Sequence, residues 1–111
     1  MIHQVTPAHF RDWMAQQTAP VVVIDVREAW ELQTASVKAE GFTLLHIPLH
    51  TLPARLADVP KDASIACLCH HGGRSQQAAH FLSEQGFAPM ANIAGGIHAW
   101  SAQCDPSIPV Y

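Results

Sequence analysis

A cysteine followed by two histidines, two glycines and an arginine is the segment of this sequence best suited to chemistry. It reads Cys69-His70-His71-Gly72-Gly73-Arg74-Ser75. It joins an apolar run that is typical of a buried strand to a stretch that favours a helix. A short loop in that place aims backbone N–H groups at one point, and the helix N-terminus adds positive potential. The pattern therefore predicts a nucleophilic thiolate at Cys69, held inside a cradle for anions.

The other residues of this segment are expected to shape the loop or to carry charge. Gly72 and Gly73 allow positive φ, so that backbone amides converge without Cβ clashes. Arg74 adds a fixed cation, which we expect to hold the loop closed and to attract an anionic donor. His70 and His71 are interpreted as loop residues with outward-pointing rings, one of which could serve as an acid or base near neutral pH. Ser75, at the start of the helix, is expected to support the loop.

A second pair of charged residues follows the apolar run 21–24. We expect Asp25 to accept N–H bonds from neighbouring loops. Arg27 either faces the pocket, where it would bind an anionic donor, or pairs with a carboxylate such as Glu31 four positions later. Ligands of open α/β sheets bind beyond the carboxyl ends of the strands, so both residues are predicted to lie near the cysteine loop.

The elements that must position these residues alternate along the chain. Strands are predicted over 21–25, 42–47, 64–69 and 87–93, and helices over 7–17, 28–35, 49–56, 75–85 and 95–100. Alternating strands and helices indicate an α/β fold with a mainly parallel sheet. The 111 residues fit one domain, 1–111, and the segment 104–111 is expected to lie over the surface.

Composition excludes several classes of protein. Hydrophobic residues make up 49% and charged residues 14%, which argues against disorder. The net charge of -3 disfavours nucleic acid as a partner, and no apolar run approaches the roughly 20 residues of a membrane span. The first residues lack the basic and apolar regions of a signal peptide. Three cysteines cannot all pair, so at least one free thiol is expected, which favours either a reducing compartment such as the cytoplasm or a reactive cysteine.

A metal cluster is the alternative interpretation of the cysteine loop. Cys67, Cys69, His70 and His71 are ligand types, but their spacing matches no common zinc pattern. The tight end of a parallel strand also cannot easily place four ligands tetrahedrally. We therefore predict no metal and no cofactor. Cys67 is predicted to be a core residue, and the alternative is a resolving cysteine that forms a disulfide with an oxidised Cys69.

Three segments together resemble the rhodanese superfamily of sulfurtransferases. They are Val22-Val23-Ile24-Asp25-Val26-Arg27-Glu28 with the trailing Trp30-Glu31, the segment Cys69 to Ser75, and Gly95-Gly96-Ile97-His98-Ala99-Trp100. The resemblance implies a rhodanese-like three-layer fold, with about five strands flanked by helices on both faces. It also implies that Cys69 accepts a sulfane sulfur, becomes a persulfide and passes the sulfur to a nucleophile. The residues from His70 to Arg74 would then hold the persulfide and the anionic donor.

The resemblance also limits the reaction and its partners. It implies a thiosulfate-like or persulfide donor and a thiol or cyanide-like acceptor, with a sulfur-relay protein as a further candidate partner. Phosphatases of the family have an active-site loop one residue longer, whereas Cys69 and Arg74 bound six positions here, the length associated with sulfur chemistry. The alternative is a non-catalytic rhodanese-fold module that binds a partner or senses redox state. Retention of both Cys69 and Arg74 argues against it, because a binding module needs neither.

Overall fold

In the computed structural model, which describes residues 2–111, five parallel strands form one sheet. The strands are β1 Ile2–Val5, β2 Val21–Asp25, β3 Thr43–His46, β4 Ser64–Leu68 and β5 Met90–Ile93. They lie in the order β1-β5-β4-β2-β3, and every pairing is parallel. The predicted α/β class with a parallel sheet is confirmed.

Helical segments connect the strands. They are α1 Pro7–Ala15, α2 Ala29–Thr34, a 3₁₀ segment Leu49–Asp58, α3 Gly73–Glu84 and α4 Gly96–Gln103. Their bounds differ from the predicted ones by a few residues. The difference that matters is at α3, which begins at Gly73 rather than at Ser75, so that its N-terminus lies directly behind the cysteine loop. Within residues 2–111, no helix has both the length and the hydropathy that crossing a bilayer demands.

The edge strand β1 is the element that the sequence pattern does not indicate. It pairs with β5 alone, and its side chains are partly buried at Ile2, exposed at His3 and Gln4, and buried at Val5. A short edge strand needs no continuous apolar run, because one of its sides faces solvent. It nevertheless positions Gln4, whose Oε1 accepts a hydrogen bond from Asn92 Nδ2 at 2.9 Å, close to the cysteine loop.

Two apolar cores lie on opposite faces of the sheet and fix its two central strands. Ile24 packs into the core that contains Leu82 of α3, whereas Val23 packs into the core that contains Phe10 of α1 and Ile97 of α4. All residues of β2 and β4 are buried, as their continuous apolar sequences predict. Each large aliphatic side chain buried in this way contributes roughly 1.5–3 kcal/mol. The segments that follow β2 and β4 therefore start from rigid points.

Candidate active site

Cys69 directly follows the central strand β4, and its sulfur lies against the backbone of the loop. The Gly72 amide donates a hydrogen bond to Cys69 Sγ at 3.0 Å. In the thiol form, the S–H donates to Ser75 Oγ at 3.2 Å. Cys69 is 1% exposed. A backbone amide aimed at the sulfur stabilises negative charge there, which is what a nucleophilic thiolate requires.

The loop is fastened on one side to β5. Gly72 has φ +111°, in the left-handed region that glycine tolerates best, and a Cβ there would lie 3.2 Å from the amide nitrogen of Gly95. Ser75 Oγ donates to Asn92 Oδ1, and Asn92 Nδ2 donates to the Gly72 carbonyl at 3.3 Å. Asn92 lies on β5, so a buried amide side chain fixes the turn that presents the Gly72 N–H to the sulfur.

The other side of the loop is held by the backbone of α4. The Ile97 amide donates to the Cys69 carbonyl at 2.9 Å, and the His98 amide donates to the His70 carbonyl at 3.1 Å. Gly96 has φ +61°, and a Cβ there would approach the Cys69 oxygen to 2.5 Å and the His70 oxygen more closely still. No other residue fits at this position, because both neighbours are backbone atoms that cannot swing aside.

Arg74 closes the loop onto α2 through a buried carboxylate. Its guanidinium donates to both oxygens of Glu31, with Nη1–Oε2 at 2.7 Å and Nη2–Oε1 at 2.8 Å. These hydrogen bonds from Arg74 lower the pKa of Glu31 to about 2, although burial acts in the opposite direction. Glu31 also accepts from the Glu28 amide at 2.9 Å and from the Tyr111 hydroxyl at 2.9 Å. The Arg74 side chain remains 36% exposed, so it is also accessible to an anion.

Arg27 lies beneath the site rather than facing it. Its Nε donates to Asp25 Oδ1 at 2.9 Å, and its Nη2 donates to Asp25 Oδ2 at 2.8 Å and to the Ala35 carbonyl at 2.9 Å. Its Nη1 donates to the Glu31 carbonyl at 3.3 Å and to the Tyr111 hydroxyl at 3.0 Å. Arg27 is fully buried and its donors are used within the chain, which corrects the expectation that it binds an anionic donor. The pairing alternative is the one adopted, with Asp25 as the carboxylate.

The two loop histidines differ in exposure. The His70 ring is stacked between His71, at a centroid distance of 3.9 Å, and Tyr111, at 3.8 Å with an interplanar angle of 3°. His71 is exposed, as predicted, whereas the His70 ring is covered on both faces and does not point outward. Burial lowers the pKa of His70, and the neighbouring His71 lowers it further. Both effects disfavour the protonated, charged form of the His70 ring.

Comparison with known proteins places this loop in a family. The sequence of residues 6–103 matches the protein family described as rhodanese-like domain. The chain belongs to the rhodanese family. A sulfurtransferase of Allochromatium vinosum is 33% identical over 84 residues, which cover 76% of this chain and 75% of that protein. The resemblance that the three sequence segments indicate is confirmed.

Longer proteins and solved structures share the same domain. An adenylyltransferase and sulfurtransferase of Zea mays is 35% identical over 101 residues, which cover 88% of this chain and 21% of that protein. This chain therefore spans about a fifth of the maize protein. The crystal structure of a rhodanese-related protein of Thermoplasma volcanium superposes with a TM-score of 0.78 and 27% identity, covering 98% of this chain and 99% of that one. The rhodanese-like fold predicted from the resemblance is confirmed.

Tyr111 belongs to the site of this rhodanese domain, although no sequence motif indicates it. Contrary to the prediction, the segment 104–111 does not simply lie over the surface. Ile108 is buried in the core, and its carbonyl accepts a hydrogen bond from Ser101 Oγ at 2.7 Å. Tyr111 then covers His70 and bonds both Arg27 and Glu31. The available signal was a pair of apolar side chains among prolines, which does not specify where the segment docks.

The three cysteines of the domain occupy different environments. Cys67 is fully buried, and this burial raises the pKa of its thiol to about 12. Cys104 is exposed at the end of α4, and partial burial raises the pKa of its thiol. Cys69 combines the N-terminus of α3 with the hydrogen bond from the Gly72 amide. All three are free thiols in the structure.

Replacement of Gly96 by alanine tests the contact between α4 and the loop. We expect Gly96→Ala to lower the free energy of unfolding by at least about 3 kcal/mol, because a Cβ would overlap with backbone carbonyls. Gly86→Ala is the matched control, since Gly86 also has positive φ, +93°, but nothing lies within 4 Å of its Cβ position. The control should cost only about 1–2 kcal/mol. Urea denaturation measures both, and equal losses would contradict the steric argument.

Replacement of Glu31 by glutamine tests the buried carboxylate. Because its pKa falls from 4.5 to about 2 on folding, ionised Glu31 stabilises the fold fully above pH 4.5, and this stabilisation is lost as the pH falls towards 2. With allowance for the partly exposed Arg74, the contribution is about 1–2 kcal/mol. Glu31→Gln should therefore be less stable at pH 7 and lose less stability between pH 5 and pH 2.

The control for Glu31 is a carboxylate elsewhere on the surface. Glu84 is 64% exposed, and solvent screens its contact with His80, so Glu84→Gln should behave as the wild type does. Urea denaturation at several values of pH measures the three proteins. A Glu31→Gln variant whose stability falls with acid as steeply as that of the wild type would show that the carboxylate does not stabilise the fold.

Proposed function

We propose that this protein is a sulfurtransferase that carries a sulfane sulfur as a persulfide on Cys69. The observation that carries the proposal is the hydrogen bond from the Gly72 amide to Cys69 Sγ, in a loop that Arg74 closes. Membership of the rhodanese family and relatives that are named sulfurtransferases support the general activity. The persulfide mechanism, the thiosulfate-like donor and the thiol or cyanide-like acceptor are proposed on the resemblance to the sulfurtransferases of this family.

The first half-reaction loads the cysteine. The Cys69 thiolate attacks the outer sulfur of a thiosulfate-like donor, and a new S–S bond forms at Cys69 Sγ. The bond between the two donor sulfurs breaks, and its electron pair leaves with sulfite. The exposed part of the Arg74 side chain attracts the dianionic donor, and the N-terminus of α3 adds positive potential behind the loop. His70, His71, Gly72 and Gly73 form the remainder of the loop that receives the donor.

The second half-reaction releases the sulfur. A thiol or cyanide-like nucleophile attacks the outer sulfur of the Cys69 persulfide, and the bond to Sγ breaks. The electron pair returns to Sγ, so the thiolate is regenerated without net oxidation of the protein. The Gly72 amide stabilises that leaving thiolate as it stabilises the attacking one. No step of this cycle uses a cofactor.

Loop size supports sulfur rather than phosphoryl chemistry. The loop from Cys69 to Arg74 places one amide, that of Gly72, on the sulfur at 3.0 Å, and Arg74 turns back to Glu31. A phosphoryl group with its oxygens needs a wider ring of donors than one added sulfur atom. The tight closure therefore favours an outer sulfur as the group that is held.

The setting we infer for this activity follows from the thiols. Three free cysteines fit a reducing compartment, and we propose the cytoplasm. A sulfur-relay protein is the macromolecular partner that we infer. The relative from Bacillus subtilis named as a putative sulfur carrier protein, 30% identical over 83 residues, supports such a partner in general terms.

Intact mass spectrometry after incubation with thiosulfate tests the proposal. We expect one added sulfur atom, ~32 Da, which maps to the peptide containing Cys69 and is removed by a thiol reductant. Cys69→Ser should gain no mass, whereas Cys104→Ser, which changes an exposed thiol outside the loop, should gain it as the wild type does. An adduct on Cys67 or Cys104, or none at all, would contradict the proposal and favour a rhodanese-fold binding module.

A further inference from the structure

Three histidines converge at the outer rim of the active-site loop. His70 and His71 belong to the loop after β4, and His98 lies in the first turn of α4. One ring nitrogen from each of them forms a group in which all three atoms lie within 4.8 Å of one another. Imidazole nitrogens at such distances are the ligands that borderline transition metals prefer.

The backbone fixes the histidines relative to one another. The His98 amide donates to the His70 carbonyl at 3.1 Å, and Gly96 allows α4 to come this close. The ring centroids of His71 and His98 are 5.0 Å apart. The group therefore does not depend on mobile side chains alone, because its elements are joined through the same contact that shapes the cysteine loop.

His70 also carries a buried ring nitrogen without a partner. Within residues 2–111, His70 Nε2 is buried and makes no hydrogen bond. An unpartnered buried polar atom costs about 1–3 kcal/mol, so the fold keeps an unused donor or acceptor here at a cost. His70 cannot readily turn this nitrogen to solvent, since its ring is stacked between His71 and Tyr111. A bound cation is a ligand that would use an imidazole nitrogen otherwise left without a partner.

We propose that His70, His71 and His98 form a binding site for a divalent transition-metal ion, with Zn²⁺ as the test case. Zn²⁺ binds imidazole at 2.0–2.1 Å, which puts the nitrogens of a tetrahedral site roughly 3.3 Å apart. Binding therefore requires the exposed side chains of His71 and His98 to rotate towards His70, and the His71 ring to leave its stacked position on the His70 ring. Three protein ligands leave a fourth position open, to be filled by water or an anion.

This site differs from the possible metal cluster of Cys67, Cys69, His70 and His71, which the spacing of those residues argues against. That cluster included Cys67 and Cys69, but Cys67 is sealed in the core and the Cys69 sulfur is engaged by the Gly72 amide. His98 supplies the third ligand from a different element, which the spacing within the loop could not reveal. Because Cys69 is not a ligand, the metal site does not depend on sulfur transfer.

Competition for Zn²⁺ against a chromophoric chelator tests the site in the Cys69→Ser protein, where the loop thiolate is absent. We expect one ion per chain. His98→Ala and His71→Ala, introduced singly, should each weaken binding at least about tenfold, because each removes one of three ligands. His80→Ala is the matched control, since His80 is an exposed histidine of α3 that pairs with Glu84. Its affinity should equal that of the parent.

The visible spectrum of the Co²⁺ form provides a second readout. A three-imidazole site with one further ligand should give the intense absorption of tetrahedral Co²⁺, and His98→Ala should lose it. Circular dichroism of each variant verifies that the fold is retained. Zn²⁺ affinity unchanged by His98→Ala, or binding that disappears with Cys69→Ser alone, would overturn the proposal. The sulfur-loading experiment is unaffected by either result, so the two proposals fail separately.

Discussion

The cysteine loop, residues 69–74, keeps its shape because the backbone of α4 contacts it. Gly96 lies against the carbonyls of Cys69 and His70, and the amides of Ile97 and His98 satisfy those carbonyls. Because these two carbonyls are hydrogen-bonded to α4, the loop keeps a shape in which the Gly72 amide points towards the Cys69 sulfur. A side chain at residue 96 would push the two segments apart. It would displace the Cys69 and His70 carbonyls and move His98 away from His70.

A buried carboxylate is the second point on which the site depends. Glu31 is 3% exposed and accepts hydrogen bonds from Arg74, Tyr111 and the Glu28 amide. Removing it would leave the Arg74 cation beside the loop without its partner, which is more damaging than losing an exposed ion pair. Arg27, paired with Asp25 below, binds the Tyr111 hydroxyl as well. Hydrogen bonds between these charged and polar groups therefore connect α2, the cysteine loop and the segment that ends at Tyr111.

The sequence predicts the parts of this arrangement that are local. The apolar runs of β2 and β4, and the cysteine loop with its glycines, are continuous in sequence, so periodicity and spacing reveal them. The partner that a side chain contacts in the folded protein cannot be predicted from the neighbouring sequence. From the sequence, Arg27 could equally face a pocket or pair with a carboxylate. In the structure Arg27 is fully buried and pairs with Asp25. Tyr111 and His98 reach the loop only because the last strand and helix pack beside it. The edge strand β1 is not predicted because it lacks a continuous apolar run, and a strand with one side facing solvent does not need such a run.

The most direct test of this account is the order in which the three cysteines react with iodoacetamide at pH 7, followed peptide by peptide. Exposure alone predicts that Cys104 reacts first, since it is exposed, whereas Cys67 and Cys69 are buried. We expect Cys69 to react first, because the Gly72 amide and the N-terminus of α3 stabilise negative charge on its sulfur, and Cys67 to stay unlabelled in the folded protein. Labelling of Cys104 first, with Cys69 as unreactive as Cys67, would contradict it.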